Sequence, residues 1–164
     1  MKKAVFAGTF DPFTIGHKDV VNQALNVFDE IIIAVGENSS KSCMFSTNDR
    51  ISFIRKSFET NSKITIESYS NLTTSFCESK DVKFLIRGLR NINDFVFEKD
   101  TKYMQETFSN LKYVYFISGQ NFSHVSSTLV KDIINYGGQY EHLLPFKLKN
   151  WFFVNLNQDN LKLL

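Results

Sequence analysis

Five short apolar runs alternate with five segments of helical periodicity along this chain, and that order leaves room for few folds. The runs are Lys3 to Ala7, Glu30 to Val35 with its three consecutive isoleucines, Ile64 to Glu67, Phe84 to Ile86, and Tyr113 to Ile117. Continuous hydrophobicity, as in the first two, is the pattern of a strand covered on both faces and therefore of parallel pairing. Between them Val20, Val21, Ala24, Leu25, Val27 and Phe28 recur at helical spacing, so a helix over about His17 to Phe28 completes a β-α-β unit. Ser46 with Asp49 resembles a capping box opening a helix to about Phe58. Further helices are expected near Thr73 to Lys80, from Asn93 to Phe108, and from Ser126 to Tyr136, the last closed by Gly137 and Gly138. The expected fold is a single doubly wound, Rossmann-like α/β domain over residues 1–164, with a five-stranded parallel sheet and helices on both faces. In the stretch 145–164, Phe146, Leu148, Trp151, Phe152 and Val154 suit either a helix packed on the core or an assembly surface.

A chain of 164 residues is long enough to bury roughly two thirds of its unfolded surface without disulfides or a structural metal. Its 17 Phe against one Trp predict a core filled with phenyl rings. A formal charge of +2 is too small to gather nucleic acid, so basic groups matter only where they cluster, and no nucleic-acid partner is expected. Cys43 and Cys77 are isolated, with no CxxC spacing, which gives neither a disulfide framework nor a zinc site. The apolar run after Lys2 and Lys3 stops after four residues, and no segment approaches the ~20 apolar residues of a bilayer span. A cytoplasmic protein without a membrane partner is the expectation.

Three segments carry candidate chemistry. GTFDPFTIGH, residues 8–17, lies between the first strand and the first helix, where a doubly wound sheet places its ligand crevice. A helix start there offers unpaired N–H groups and partial positive charge; Gly16 lets a phosphate approach, His17 projects an imidazole and Thr9 adds a hydroxyl. LIRGLR, residues 85–90, brings Arg87 and Arg90, two of only four arginines, to the same predicted edge, where forked guanidiniums suit phosphate. In FSHVSSTLVKDI, residues 122–133, Ser126, Ser127 and Thr128 precede an apolar periodic helix and could present hydroxyls and amides to a triphosphate, although such residues also serve as ordinary caps. His124 and His142 lie in no metal-ligand spacing and read as structural or surface residues.

TIGH resembles the TxGH form of the (H/T)xGH motif of the nucleotidyltransferase superfamily, and GTFDPFTIGH as a whole resembles its phosphopantetheine adenylyltransferase branch. The resemblance continues through LIRGLRNINDFVFE, residues 85–98, and extends to about Pro145. It implies adenylyl transfer from ATP to 4′-phosphopantetheine, with Mg²⁺ carried on the ATP phosphates. It also implies catalytic roles for His17, Lys41 and Arg90. Thr9, Lys41, Thr73 and Arg87 would contact the acceptor. Thr9, Phe10, His17, Gly88, Leu89, Arg90, Glu98, and the run Phe122, Ser123, His124, Val125, Ser126, Ser127 and Thr128 would contact ATP. A homohexamer and feedback inhibition by coenzyme A are implied as well. Phe97, His124 and Thr128 depart from residues common in the family. TIGH and the serine-rich segment also suit another small nucleotidyltransferase, for instance one acting on nicotinamide mononucleotide, while the superfamily's kinship with class I aminoacyl-tRNA synthetases and the mildly basic pI admit a non-catalytic nucleotide- or RNA-binding module.

Overall fold

Alternate residues of the central strands point to opposite sides of one sheet, and both sides are packed. The structure is a computed structural model describing residues 1–37 and 42–145. Lys41 and the apolar stretch 146–164 lie outside the described residues. Strands β1 (Lys3–Gly8), β2 (Glu30–Gly36), β3 (Ile64–Tyr69), β4 (Phe84–Leu89) and β5 (Lys112–Ile117) form a wholly parallel sheet in the order β3-β2-β1-β4-β5. The order reverses between β1 and β4, which creates a topological switch point at their carboxyl ends.

Helices α1 (Ile15–Ala24) and α2 (Thr47–Ser57) cover one face, where Phe6, Ile31, Ile33 and Ile86 meet Val20, Val21, Ala24 and Ile54. On the other face Val5, Ala7, Ile32 and Leu85 pack with Phe76 and Cys77 of α3 (Thr73–Ser79). Helix α4 (Ile92–Glu106) lies on that second face, joined to β4 by the Arg87–Glu98 pair and to β5 by the Phe95–Tyr115 ring contact. A third cluster joins Phe45 and Phe53 to Val125, Val130 of α5 (Ser127–Asn135), Leu143 and Leu144. The phenyl-rich core is present in Phe10, Phe13 and Phe53, each under 5% exposed. Cys77, fully buried, has its thiol pushed up to about 12, chiefly by desolvation. No helix among the described residues is long and apolar enough to cross a membrane.

Expected boundaries move at α1 and at β4. α1 begins at Ile15, before His17, because Thr14 caps it. It ends at Ala24 instead of running to Phe28: the Phe28 N–H still reaches the Ala24 carbonyl, but the Asp29 N–H bonds Lys2 and feeds the chain into β2. β4 runs on through Leu89 instead of stopping at Ile86, so Arg87 and Gly88 are strand residues. The Ser46–Asp49 start of α2 is present in altered form. The Ser46 hydroxyl accepts from the Asp49 N–H at 3.2 Å and donates to the Asp49 carboxylate at 2.6 Å.

Candidate active site

A crevice of about 810 Å³ opens at the switch point. Its wall contains Thr9, Phe10, Gly16 and His17 from the first turn, Arg87, Gly88, Arg90 and Glu98 from β4 and α4, and Val125 to Thr128 at the start of α5. Thr73 lies on its wall as well. Residues more than a hundred positions apart in the chain thus meet at one sheet edge. Leu89 is buried beneath that edge, and Phe122, Ser123 and His124 stand outside the lining, His124 being exposed.

The first turn builds the imidazole's setting. The Thr14 N–H donates to His17 Nδ1 at 3.0 Å, while the Thr14 hydroxyl faces both that nitrogen and the His17 N–H. This is a capping box with histidine in the place usually held by Glu or Gln. Because an amide N–H points at Nδ1, that nitrogen carries the lone pair and Nε2 carries the ring proton. The ring stacks on Phe13 at 5.4 Å and meets the edge of Phe10 at 5.1 Å. Desolvation by this surround, with the positive charge of Arg90 added, lowers its pKa from 6.5 to about 4. His17 is therefore a neutral donor near pH 7.

Both crevice arginines are already paired. Arg87 grips Glu98 with a two-pronged fork, Nε to Oε2 at 2.7 Å and Nη2 to Oε1, and donates through Nη1 to the Ala7 carbonyl at 3.0 Å. Desolvation opposes the charge on Arg87, but the bonds from Glu98 outweigh it and the pKa rises. Arg90 holds Asp94 through its backbone N–H, Nε and Nη2, at 2.9 to 3.0 Å. Partial burial pushes the Asp94 carboxyl up, and the Arg90 contacts more than reverse this, leaving it below its ordinary value. Asp94 and Glu98 stand one turn apart on α4, so one helix face supplies both counter-ions. Asp94 escaped the sequence reading although its four-residue spacing from Glu98 was the available signal.

The loops are tied from behind. Asp11, 3% exposed, accepts the Met44 and Phe45 N–H groups at 3.0 Å and the Lys131 ammonium at 3.2 Å. The Ser127 hydroxyl donates to the Pro12 carbonyl at 2.9 Å, joining α5 to the first turn, while Ser126 caps α5 through the Leu129 N–H. A Cβ on Gly16 would stand 3.5 Å from the Phe122 and Val125 carbonyls, so the starts of α1 and α5 lie side by side. Two helix N-termini facing one cavity favour anions. On Gly88 a Cβ would meet Val20 Cγ2 at 2.9 Å, so packing against α1 already demands glycine there. Tyr69, whose hydroxyl bonds Thr73 at 2.9 Å, extends the crevice beyond the predicted residues.

Comparison with known proteins agrees with this geometry. A profile of the cytidylyltransferase-like family matches residues 5–133. The chain is 45% identical over 145 residues to the phosphopantetheine adenylyltransferase of Christiangramia forsetii, covering 88% of this chain and 96% of the relative. It is 40% identical, with the same coverages, to the phosphopantetheine adenylyltransferase of Flavobacterium psychrophilum. Among solved structures, a bifunctional NMN adenylyltransferase/ADP ribose pyrophosphatase from Francisella tularensis superposes with a TM-score of 0.67 at 16% identity, over 92% of this chain and 49% of that one. The chain thus spans about half of that larger protein, and the likeness shows the shared fold. Similarity of this extent to full-length relatives means that the chain belongs to the phosphopantetheine adenylyltransferases, within the cytidylyltransferase-like family.

Proposed function

We propose that this chain catalyses the reversible transfer of the adenylyl group of ATP to 4′-phosphopantetheine, giving dephospho-coenzyme A and pyrophosphate in coenzyme A biosynthesis. The observation that carries the reading is a neutral imidazole donor, two guanidiniums and two helix starts facing one crevice. That set suits a reaction whose difficulty lies in gathering phosphates and stabilising charge on a transferring phosphorus. The acceptor's terminal phosphate attacks the α-phosphorus in line, the bond to the bridging oxygen breaks, and its electron pair leaves with pyrophosphate. A phosphate dianion is nucleophilic, so no residue is needed as a base.

In this scheme His17 Nε2–H donates to an α-phosphate oxygen as charge builds there. Thr9, Lys41 and Arg87 hold the acceptor phosphate, and Thr73 lines the path of its arm. Arg90, Gly88 and the start of α5 receive ATP, with Leu89 buried behind them. The Ser126 hydroxyl, an acceptor within its cap, keeps its own proton to donate; that of Ser127 is directed to Pro12, leaving its amide for the phosphates. Glu98 serves here by orienting Arg87. The Phe10 ring and Val125 shape the nucleotide side, while Phe122, Ser123 and His124 stay outside the crevice wall.

Of the crevice carboxylates, Asp94 and Glu98 are engaged by arginines and Glu37 stands as a single further one, and no three His, Cys, Asp or Glu side chains cluster among the described residues, so the described donors do not fit a protein-held metal. Magnesium enters with ATP as part of the substrate. The same reading includes a single domain, a cytoplasmic setting in keeping with the free Cys43 and Cys77, inhibition by coenzyme A, and a homohexamer. Exposed Ile92, Val96, Tyr103 and Met104 on α4 offer an apolar surface for assembly.

Pyrophosphate release from ATP that depends on added 4′-phosphopantetheine is the expected result. A thermal shift with nicotinamide mononucleotide or glycerol phosphate beside ATP, and none with 4′-phosphopantetheine, would overturn the acceptor assignment.

A further inference from the structure

Arg50 is 3% exposed, yet among the described residues no carboxylate pairs with it. Every acceptor it has among the described residues is neutral. Its Nε donates to the Phe45 and Ser46 carbonyls at 3.2 and 3.4 Å, and its Nη2 to the Thr47 hydroxyl at 2.9 Å. Its Nη1 reaches the Thr9 carbonyl at 2.7 Å and the Gly36 carbonyl at 3.1 Å. Burying a cation without a counter-ion is costly, and placing it in the first turn of α2, at the positive end of the helix, adds to that cost. Packing alone would be served by an apolar side chain.

The position of the charge explains the arrangement. Thr9 and Gly36 both line the crevice, so the guanidinium sits directly behind its wall at the ends of β1 and β2. The next residue, Phe10, has φ +52, a left-handed conformation that a bulky side chain rarely adopts. The bond from Arg50 to the Thr9 carbonyl fixes the peptide that enters this strained residue. In a trans peptide the N–H points opposite to the carbonyl, so the Phe10 N–H is turned away from Arg50. That N–H has no acceptor among the described residues. A cation bound to the carbonyl end of a peptide polarises the N–H at its other end and makes it a stronger donor.

The geometry points to Arg50 as a positioning residue for the acceptor phosphate, acting through the Thr9–Phe10 peptide and supplying a fixed positive charge behind it. This rests on the proposed adenylyl transfer for the name of the acceptor. The placement of the charge does not depend on that name.

The test compares binding of 4′-phosphopantetheine with binding of pantetheine, which lacks the phosphate, by titration calorimetry on the full chain. Arg50→Gln should weaken the phosphorylated ligand by about tenfold or more and leave pantetheine unchanged, so the affinity ratio collapses. A merely structural role would weaken both alike. Arg50→Lys keeps the charge and loses the fork; its ratio should stay within about threefold of the parent while turnover falls. An unchanged ratio in Arg50→Gln overturns the proposal. If Arg50→Gln does not fold, the ratio is read in Arg50→Met, which fills the same space without the charge: a collapsed ratio supports the proposal and an unchanged ratio overturns it. If the unaltered chain binds nicotinamide mononucleotide instead, the acceptor reading fails, and the same ratio is taken against nicotinamide riboside, so the two failures stay distinct.

Discussion

The two ring nitrogens of His17 differ in setting: Nδ1 closes the first turn of α1, and Nε2 carries the ring proton, which the proposed reaction directs to substrate. His17→Asn is expected to lower turnover by about two to three orders of magnitude with a modest change in the KM for ATP, measured by coupled pyrophosphate release. The ring also links stability to acidity. Its folded pKa of about 4 lies below the ordinary 6.5 of an unfolded chain, so between those values the unfolded state takes up a proton that the folded state refuses. The contribution is complete above 6.5 and is lost as pH falls toward 4. Thermal midpoints recorded from pH 7.5 down to 4.5 should therefore fall more steeply for the parent than for His17→Asn. Equal slopes would remove His17 as the source. The motif made this histidine legible in the sequence. Its tautomer was not legible, because it depends on a backbone N–H three residues earlier entering a cap that usually recruits a carboxylate or amide. Arg50 was harder still: nothing in a helical segment such as TNDRISFIRKS marks which of its two arginines turns inward.

Elements were read well where hydrophobic runs are dense, as in β2, and less well where an end is set by a partner outside the segment. Leu25, Val27 and Phe28 continue the helical spacing beyond α1, but Lys2 captures the chain after them. The contact between β4 and α1 gives a direct check on packing. Gly88→Ala should destabilise by about 1–3 kcal/mol in urea unfolding, because the new methyl overlaps Val20, and Val20→Ala on the same background should recover part of the loss. α1 also clips the segment after β5: Asp19 accepts the Gly119 N–H at 3.1 Å, and Gln23 donates to the Ile117 carbonyl at 3.1 Å. Asp19→Ala should thus raise the KM for ATP by about three- to tenfold and leave that for the acceptor nearly unchanged, in initial-rate measurements. A matched rise in both would point to general loosening instead.

For the whole molecule, the doubly wound order was legible because alternating strands and helices permit little else, and with it came the meeting of three distant segments at one edge. What covers the outer side of α4 was not. Charging that side with Val96→Glu should, if it is the assembly surface, shift sedimentation from a hexamer to smaller species; a sedimentation profile identical to the parent's would remove α4 from the contact. The inner side of the same helix has a different consequence. Asp94 pairs with Arg90 and Glu98 with Arg87, so in the proposed reaction a phosphate that takes either guanidinium competes with a carboxylate and does not fill a bare cationic cleft. A monovalent anion such as chloride gains little from such a swap, whereas a multiply charged, multidentate oxyanion can displace the resident carboxylates. Selectivity among anions is in this way written into a helix that need never touch them.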